Sequence, residues 1–200
     1  MNKRNKLLPT LARVSPALFL ILTILNCIIV PSKNSFYLLV VYCSVLLSNN
    51  INKYVFVKPV YDFLNKSSLP ILGIGARPAN ATSCGLILDN VSSTSYGMPS
   101  GHSQTAWTIS TYLLYKIIKN FYNNKNNSTN KVNKLYEYIY FIGSCILLLA
   151  GSSYISYSRV YIEGCHTIQQ VIVGGLIGIF IGFLAGYYEN YAVNLLSKMY

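Results

Sequence analysis

Acidic side chains are the scarcest feature of the chain. Five Asp and Glu stand against sixteen Lys and Arg in 200 residues, and only 10% of the residues are charged. A soluble domain of this size carries about 25% charged residues, because its surface has to be solvated. So few acids, with two histidines and scattered cysteines, give no metal-ligand spacing. No repeat is present, which excludes a collagen-like or low-complexity chain. No basic run interleaves with aromatics as a nucleic-acid face requires, so nucleic acid is excluded as a partner despite a formal charge of +11. What remains is 52% hydrophobic, with a mean hydropathy of +0.40. That is the composition of an integral membrane protein whose partner is the bilayer, its basic residues facing anionic headgroups.

Apolar stretches at 16–30, about 36–57, 103–122, 136–153 and 171–188 approach the roughly 20 residues needed to cross the hydrocarbon. They predict an all-α, polytopic helical bundle with about five transmembrane helices. Residues 1–48 form N-terminal transmembrane helices, 49–190 the core and 191–200 a C-terminal tail. The first stretch reads as a retained helix rather than a cleaved signal, since no small-x-small site precedes Pro31 and a second span follows. The last is rich in glycine (VGGLIGIFIGFLAG), a pattern that lets membrane helices approach closely. Trp107 and the tyrosines read as an interfacial belt. Residues 120–133 form an Asn/Lys-rich loop, while 58–101 are a long connection rich in Pro, Gly, Ser and Asn, of the length that usually carries function.

Alternation of five spans places 58–101, the start of the third span and 154–170 on one membrane side. Arg77-Pro78, Tyr96-Gly97-Met98-Pro99-Ser100-Gly101-His102, and Ser158-Arg159 with Cys165-His166 therefore converge. Both histidines, and both arginines outside the N-terminal segment, fall in this set. These residue types suit phosphoryl transfer. Guanidinium groups match phosphate oxygens, a Ser-Gly step at a helix start offers free N–H groups, and two histidines divide nucleophile and acid roles.

The three segments resemble the type 2 phosphatidic acid phosphatase superfamily, membrane lipid phosphatases related to vanadium haloperoxidases. Its motifs are Lys-x6-Arg-Pro, Pro-Ser-Gly-His and Ser-Arg-x5-His-x3-Asp. Pro99-Ser100-Gly101-His102 matches the second completely, Arg77-Pro78 the end of the first, and Ser158-Arg159 with His166 the third approximately. The likeness covers roughly residues 49–188. The flanks, with Ser158-Arg-Val-Tyr161 and Gln170 four residues after His166, resemble its dolichyldiphosphatase-like branch. The excess of Asn, Lys, Ile and Tyr is that of an AT-rich genome, viral or protist ones included. The resemblance implies catalytic His166 as nucleophile and His102 as acid and then base. It implies phosphate binding by Arg77, Arg159, Lys53, Ser100 and Gly101, with Gln170 as an orienting residue and no cofactor or metal. The substrate it implies is a lipid phosphate or isoprenyl diphosphate. A phosphatidate or lysophosphatidate monoesterase is the alternative within the class, and a silent lipid-phosphate-binding or scaffolding protein the alternative outside it.

The chain departs from the pattern in three places. The lysine position of the first motif is Pro70, so Lys53, Lys58 and Lys66 compete for the role. Six residues, not five, separate Arg159 from His166. Gln170 stands where the family has Asp, and Glu163 reads as a solvated loop residue rather than a substitute charge. Orientation rests on a small bias. Nine Lys/Arg lie on the site side and seven on the other, but several of the nine belong to the site. The positive-inside rule then leans towards a lumenal site in the endoplasmic reticulum or a related membrane. Asn-x-Ser/Thr sequons occur on both sides. In a lumenal setting Cys84 and Cys165, both near the site, pair; in the cytosol they stay thiols.

Overall fold

A computed structural model describes residues 7–64, 77, 78, 81, 84, 96–125 and 131–199. The described residues form helices throughout, with no strand among them. Helix α1 (Leu7–Ile29) begins nine residues before the expected span, and contains Pro16. Proline lacks the N–H that would bond the Ala12 carbonyl. The Ser15 hydroxyl donates to that carbonyl instead (2.8 Å), and the Pro16 carbonyl accepts from the Tyr42 hydroxyl. Helix α2 (Lys33–Ile51) is capped by Ser32, whose hydroxyl accepts the Ser35 N–H at 3.1 Å. It runs on through a π-helical segment (Asn52–Val57) into the short α3 (Lys58–Phe63). Helix α4 (Gly101–Lys125) follows the long connection, and α5 (Lys131–Tyr157) ends in a second π-helical segment (Ser158–Ile162). Helix α6 (Ile168–Met199) closes the bundle.

Four stretches, Leu7–Ile29, Lys33–Phe63, Leu135–Ile162 and Ile168–Leu195, are long and apolar enough to cross a membrane. Their outer faces carry exposed apolar side chains such as Leu22, Leu147 and Phe180, as faces that meet lipid must. The protein is a multi-pass membrane protein. Helix α4 is long enough but more polar, because it is the inner helix, packed on α6, α5, α2 and α1. Its buried hydroxyls are satisfied within the bundle. Thr108 donates to the Gly178 carbonyl at 3.1 Å, and Ser110 pairs with Ser152 at 2.6 Å.

The α4–α6 seam explains the glycine-rich sequence. A Cβ at Gly174 would lie 2.6 Å from the Ser100 carbonyl oxygen, at Gly178 2.4 Å from that of Gln104, and at Gly182 2.4 Å from that of Thr108. Only glycine permits this approach, which locks the Pro-Ser-Gly-His segment onto the start of α6. At the far end, Glu189 accepts from Lys116 (2.7 Å) and Tyr112 (2.8 Å), closing a second, separate polar cluster.

Candidate active site

His166 lies in the turn before α6 and is almost wholly buried. Its Nε2 is 2.9 Å from Arg77 Nη1, which also donates to the Cys165 carbonyl at 2.9 Å. A guanidinium has only hydrogens to give, so Nε2 carries the lone pair. Nδ1 then carries the ring hydrogen and donates it to Gln170 Oε1 at 3.3 Å. Gln170 Oε1 also accepts the Thr167 N–H (3.2 Å) while the Thr167 hydroxyl accepts the Gln170 N–H (3.4 Å). This is a capping box on α6. One glutamine thereby fixes both the helix start and the tautomer of His166. Gly97 makes room for it, since a Cβ there would fall 2.3 Å from Gln170 Oε1. Burial, and then Arg77, Arg159, Lys53 and His102 in that order, hold the His166 pKa well below its ordinary value. Four groups from four separate segments therefore bear on one neutral imidazole.

Two of those cations come from the π-helical segments, whose wider turn re-aims side chains and recurs at functional sites. Lys53 is buried at the end of α2, within electrostatic reach of Arg77 and Arg159. Lys58 instead lies half exposed in an ion pair with Asp62 (3.5 Å), and Lys66 lies outside the described residues. Arg159 is fully buried; its Nη2 donates to the Cys84 carbonyl at 2.7 Å and its Nη1 to Glu163. Cys165 and His166 both donate backbone N–H to the Arg159 carbonyl (2.9 and 3.2 Å). The extra residue of this motif is absorbed between them, by the π-helical segment and by Gly164 at φ +62.

The solvated reading of Glu163 is corrected by the structure. Its side chain is 2% exposed, accepts from Arg159 and from the Ser158 hydroxyl (3.2 Å), and lies 3.5 Å from Arg13 Nε. The left-handed turn at Gly164 folds the chain back, so the preceding carboxylate points inward. Arg13 was not anticipated either. Its place within an apolar helix is the signal that marks it, because a charge at such a position is costly and usually functional.

His102 opens α4 and donates Nε2–H to the Arg13 backbone carbonyl at 2.8 Å, since a carbonyl can only accept. Ser100 is held by its N–H on the Gln170 carbonyl (3.1 Å), with Gly101 following at the helix start, closely packed on Asn49. Among the described residues, Arg13 Nε, Ser100 Oγ and Arg159 Nε are buried without a hydrogen-bond partner. Buried donors are normally satisfied, so three in this neighbourhood suit an incoming anion. Trp107 donates its indole N–H to Ser156 at 3.1 Å. Gln104 packs inside, bonded to Asn49 at 2.8 Å. Cys84 and Cys165 form a disulfide, with Cα atoms 5.6 Å apart.

Every site residue anticipated from sequence thus lies on one end of the bundle, and neutral Nε2, four cationic side chains and orphaned donors make an arrangement able to bind and transfer a phosphoryl group. Dolichyldiphosphatase 1 from Callithrix jacchus and from Plecturocebus moloch are each 36% identical to the chain over 85 residues, 42% of this chain and 33% of theirs. The human protein of that name matches to the same extent. The matched segment spans about a third of the length of these relatives. No solved structure matches the chain. The model of the PAP2 superfamily matches residues 18–193, which takes in all three motifs, and the chain belongs to that superfamily.

Proposed function

We propose that the protein is a metal-independent membrane phosphatase that hydrolyses lipid phosphate or isoprenyl diphosphate esters through a phosphohistidine. The observation that carries this reading is the His166 tautomer: an Nε2 lone pair beside Arg77, with Nδ1–H committed to Gln170. Nε2 attacks phosphorus, the bond to the bridging oxygen breaks, and that oxygen takes a proton from His102. With Nε2–H of His102 on the Arg13 carbonyl, Nδ1 is left to carry that proton. His102 then takes a proton from water, which attacks phosphorus and releases orthophosphate and free His166. Lys53, Arg77, Arg159, Ser100 and the Gly101 N–H hold the equatorial oxygens as charge develops.

The dolichyl-type branch is favoured by Gln170, by Ser158-Arg-Val-Tyr161 and by the names of the curated relatives. A lumenal site in the endoplasmic reticulum is favoured by the disulfide, which persists in oxidising compartments, and by the charge bias. The test is phosphate release by detergent-purified protein in EDTA, from a polyprenyl diphosphate and from phosphatidic acid, beside His166→Ala. Release that survives EDTA and disappears in the variant supports the histidine mechanism, and the preferred lipid sets the branch. Folded protein that releases nothing from either lipid overturns the reading in favour of a lipid-phosphate-binding relative.

A further inference from the structure

Arg13 belongs to none of the three motifs and precedes the residues matched by the superfamily. It nevertheless touches the site twice. Its carbonyl holds His102, and its guanidinium Nε, buried and without a hydrogen-bond partner, stands 3.5 Å from the Glu163 carboxylate that also binds Arg159. His102 is the group that protonates the departing oxygen in the function proposed above, on which this inference rests. The leaving group therefore departs on the side of His102, and that is the side on which Arg13 stands.

We infer that Arg13 binds the leaving-group phosphate of a diphosphate ester and so sets a preference for diphosphates over monophosphates. When the terminal phosphorus of a prenyl diphosphate is attacked, the bond to the bridging oxygen breaks and a prenyl monophosphate departs with the His102 proton. Its phosphate presents oxygens that a guanidinium fork can take. When phosphatidate is attacked, diacylglycerol departs as a neutral alcohol and gives Arg13 nothing to bind. The charge balance agrees. Arg13, Lys53, Arg77 and Arg159 against Glu163 leave three positive charges. A monophosphate ester brings about two negative charges, and a diphosphate adds a further one. Arg13 without a motif-borne counterpart is the cation that matches the additional charge.

The experiment measures kcat/KM for a polyprenyl diphosphate and for phosphatidate with the full chain in detergent, in wild type, Arg13→Ala and Arg13→Lys. Alanine keeps the backbone carbonyl on His102, so only the guanidinium is removed. The diphosphate-to-monophosphate ratio falls by about tenfold or more in Arg13→Ala, the loss typical of one charge-assisted contact, and recovers in part in Arg13→Lys. An unchanged ratio, or equal loss on both lipids, overturns the inference. Calorimetric titration with methylenediphosphonate and with orthophosphate separates it from the parent reading. If wild type hydrolyses neither lipid the parent reading fails, while selective loss of diphosphonate binding in Arg13→Ala still upholds the inference, and undiminished binding overturns it.

Discussion

A buried imidazole attacks phosphorus only while its lone pair is free of a proton, and the surroundings of His166 keep it so. Burial and four cationic or imidazole neighbours hold its pKa well below 6.5. Because a proton on His166 would block the attack proposed for it, the acid limb that His166 imposes on kcat/KM is expected well below the ordinary imidazole range. Arg77→Gln removes the strongest of the neighbouring charges. That limb then moves to higher pH, and kcat falls by about 10²–10³ as an oxyanion-type donor is lost; pH–rate profiles of both proteins check this, and an unmoved limb contradicts it. Gln170→Glu keeps the capping box but sets a carboxylate beside Nδ1–H, which favours the imidazolium and moves the limb the same way. The linkage to stability has a definite sign. The unfolded chain binds the His166 proton first, so the stabilising contribution is full above about pH 6.5 and is lost as pH falls below it.

Glycine does opposite things on two faces of the bundle, and paired substitutions expose the difference. Gly178→Ala and Gly182→Ala put a Cβ 2.4 Å from backbone oxygens of α4, where neither rigid helix can yield cheaply. Overpacking of this kind costs about 1–3 kcal/mol. Gly151→Ala meets nothing within 4 Å and gains up to about 1 kcal/mol of helix propensity. Thermal unfolding in one detergent should order Gly151→Ala at or above wild type, and the two seam variants below it. The seam was legible in sequence because regular spacing of small residues needs no knowledge of the partner. So were the helices, whose apolar runs dictate them, and the His102 helix start after Pro-Ser-Gly. What sequence could not supply was any placement that depends on the path of the backbone. Lys53 is selected over Lys58 by a π-helical segment, and one extra residue before His166 is absorbed by another. Glu163 turns inward because Gly164 adopts φ +62. Arg13 reaches the site only because α1 packs beside α4 and the second π-helical segment.

At the scale of the whole molecule, one covalent bond joins the long connection between α3 and α4 to the residue before His166. Arg77 donates to the carbonyl of Cys165, and Arg159 to that of Cys84. The two disulfide partners are thus backbone acceptors for Arg77 and Arg159, the two arginines assigned above to phosphate binding. The bond closes a loop of 81 residues, worth about 4.5 kcal/mol in a chain-entropy account. The bundle itself is held elsewhere, by the α4–α6 seam and the hydroxyl bonds within it. Reduction, or the Cys84→Ser/Cys165→Ser pair, should therefore loosen the site before it unfolds the helices. Without reductant, alkylation of the denatured chain should add three groups, at Cys27, Cys43 and Cys145, and with reductant five. Phosphate release should fall by about tenfold or more in the double variant, as expected when charge-assisted contacts lose their fixed geometry, while helical circular dichroism is kept. Five groups added to protein trapped by alkylation in intact cells, before any reductant, would contradict the oxidised site and remove its support for a lumenal orientation. Activity undiminished in the double variant would instead show that the bundle alone positions Arg77 and Arg159.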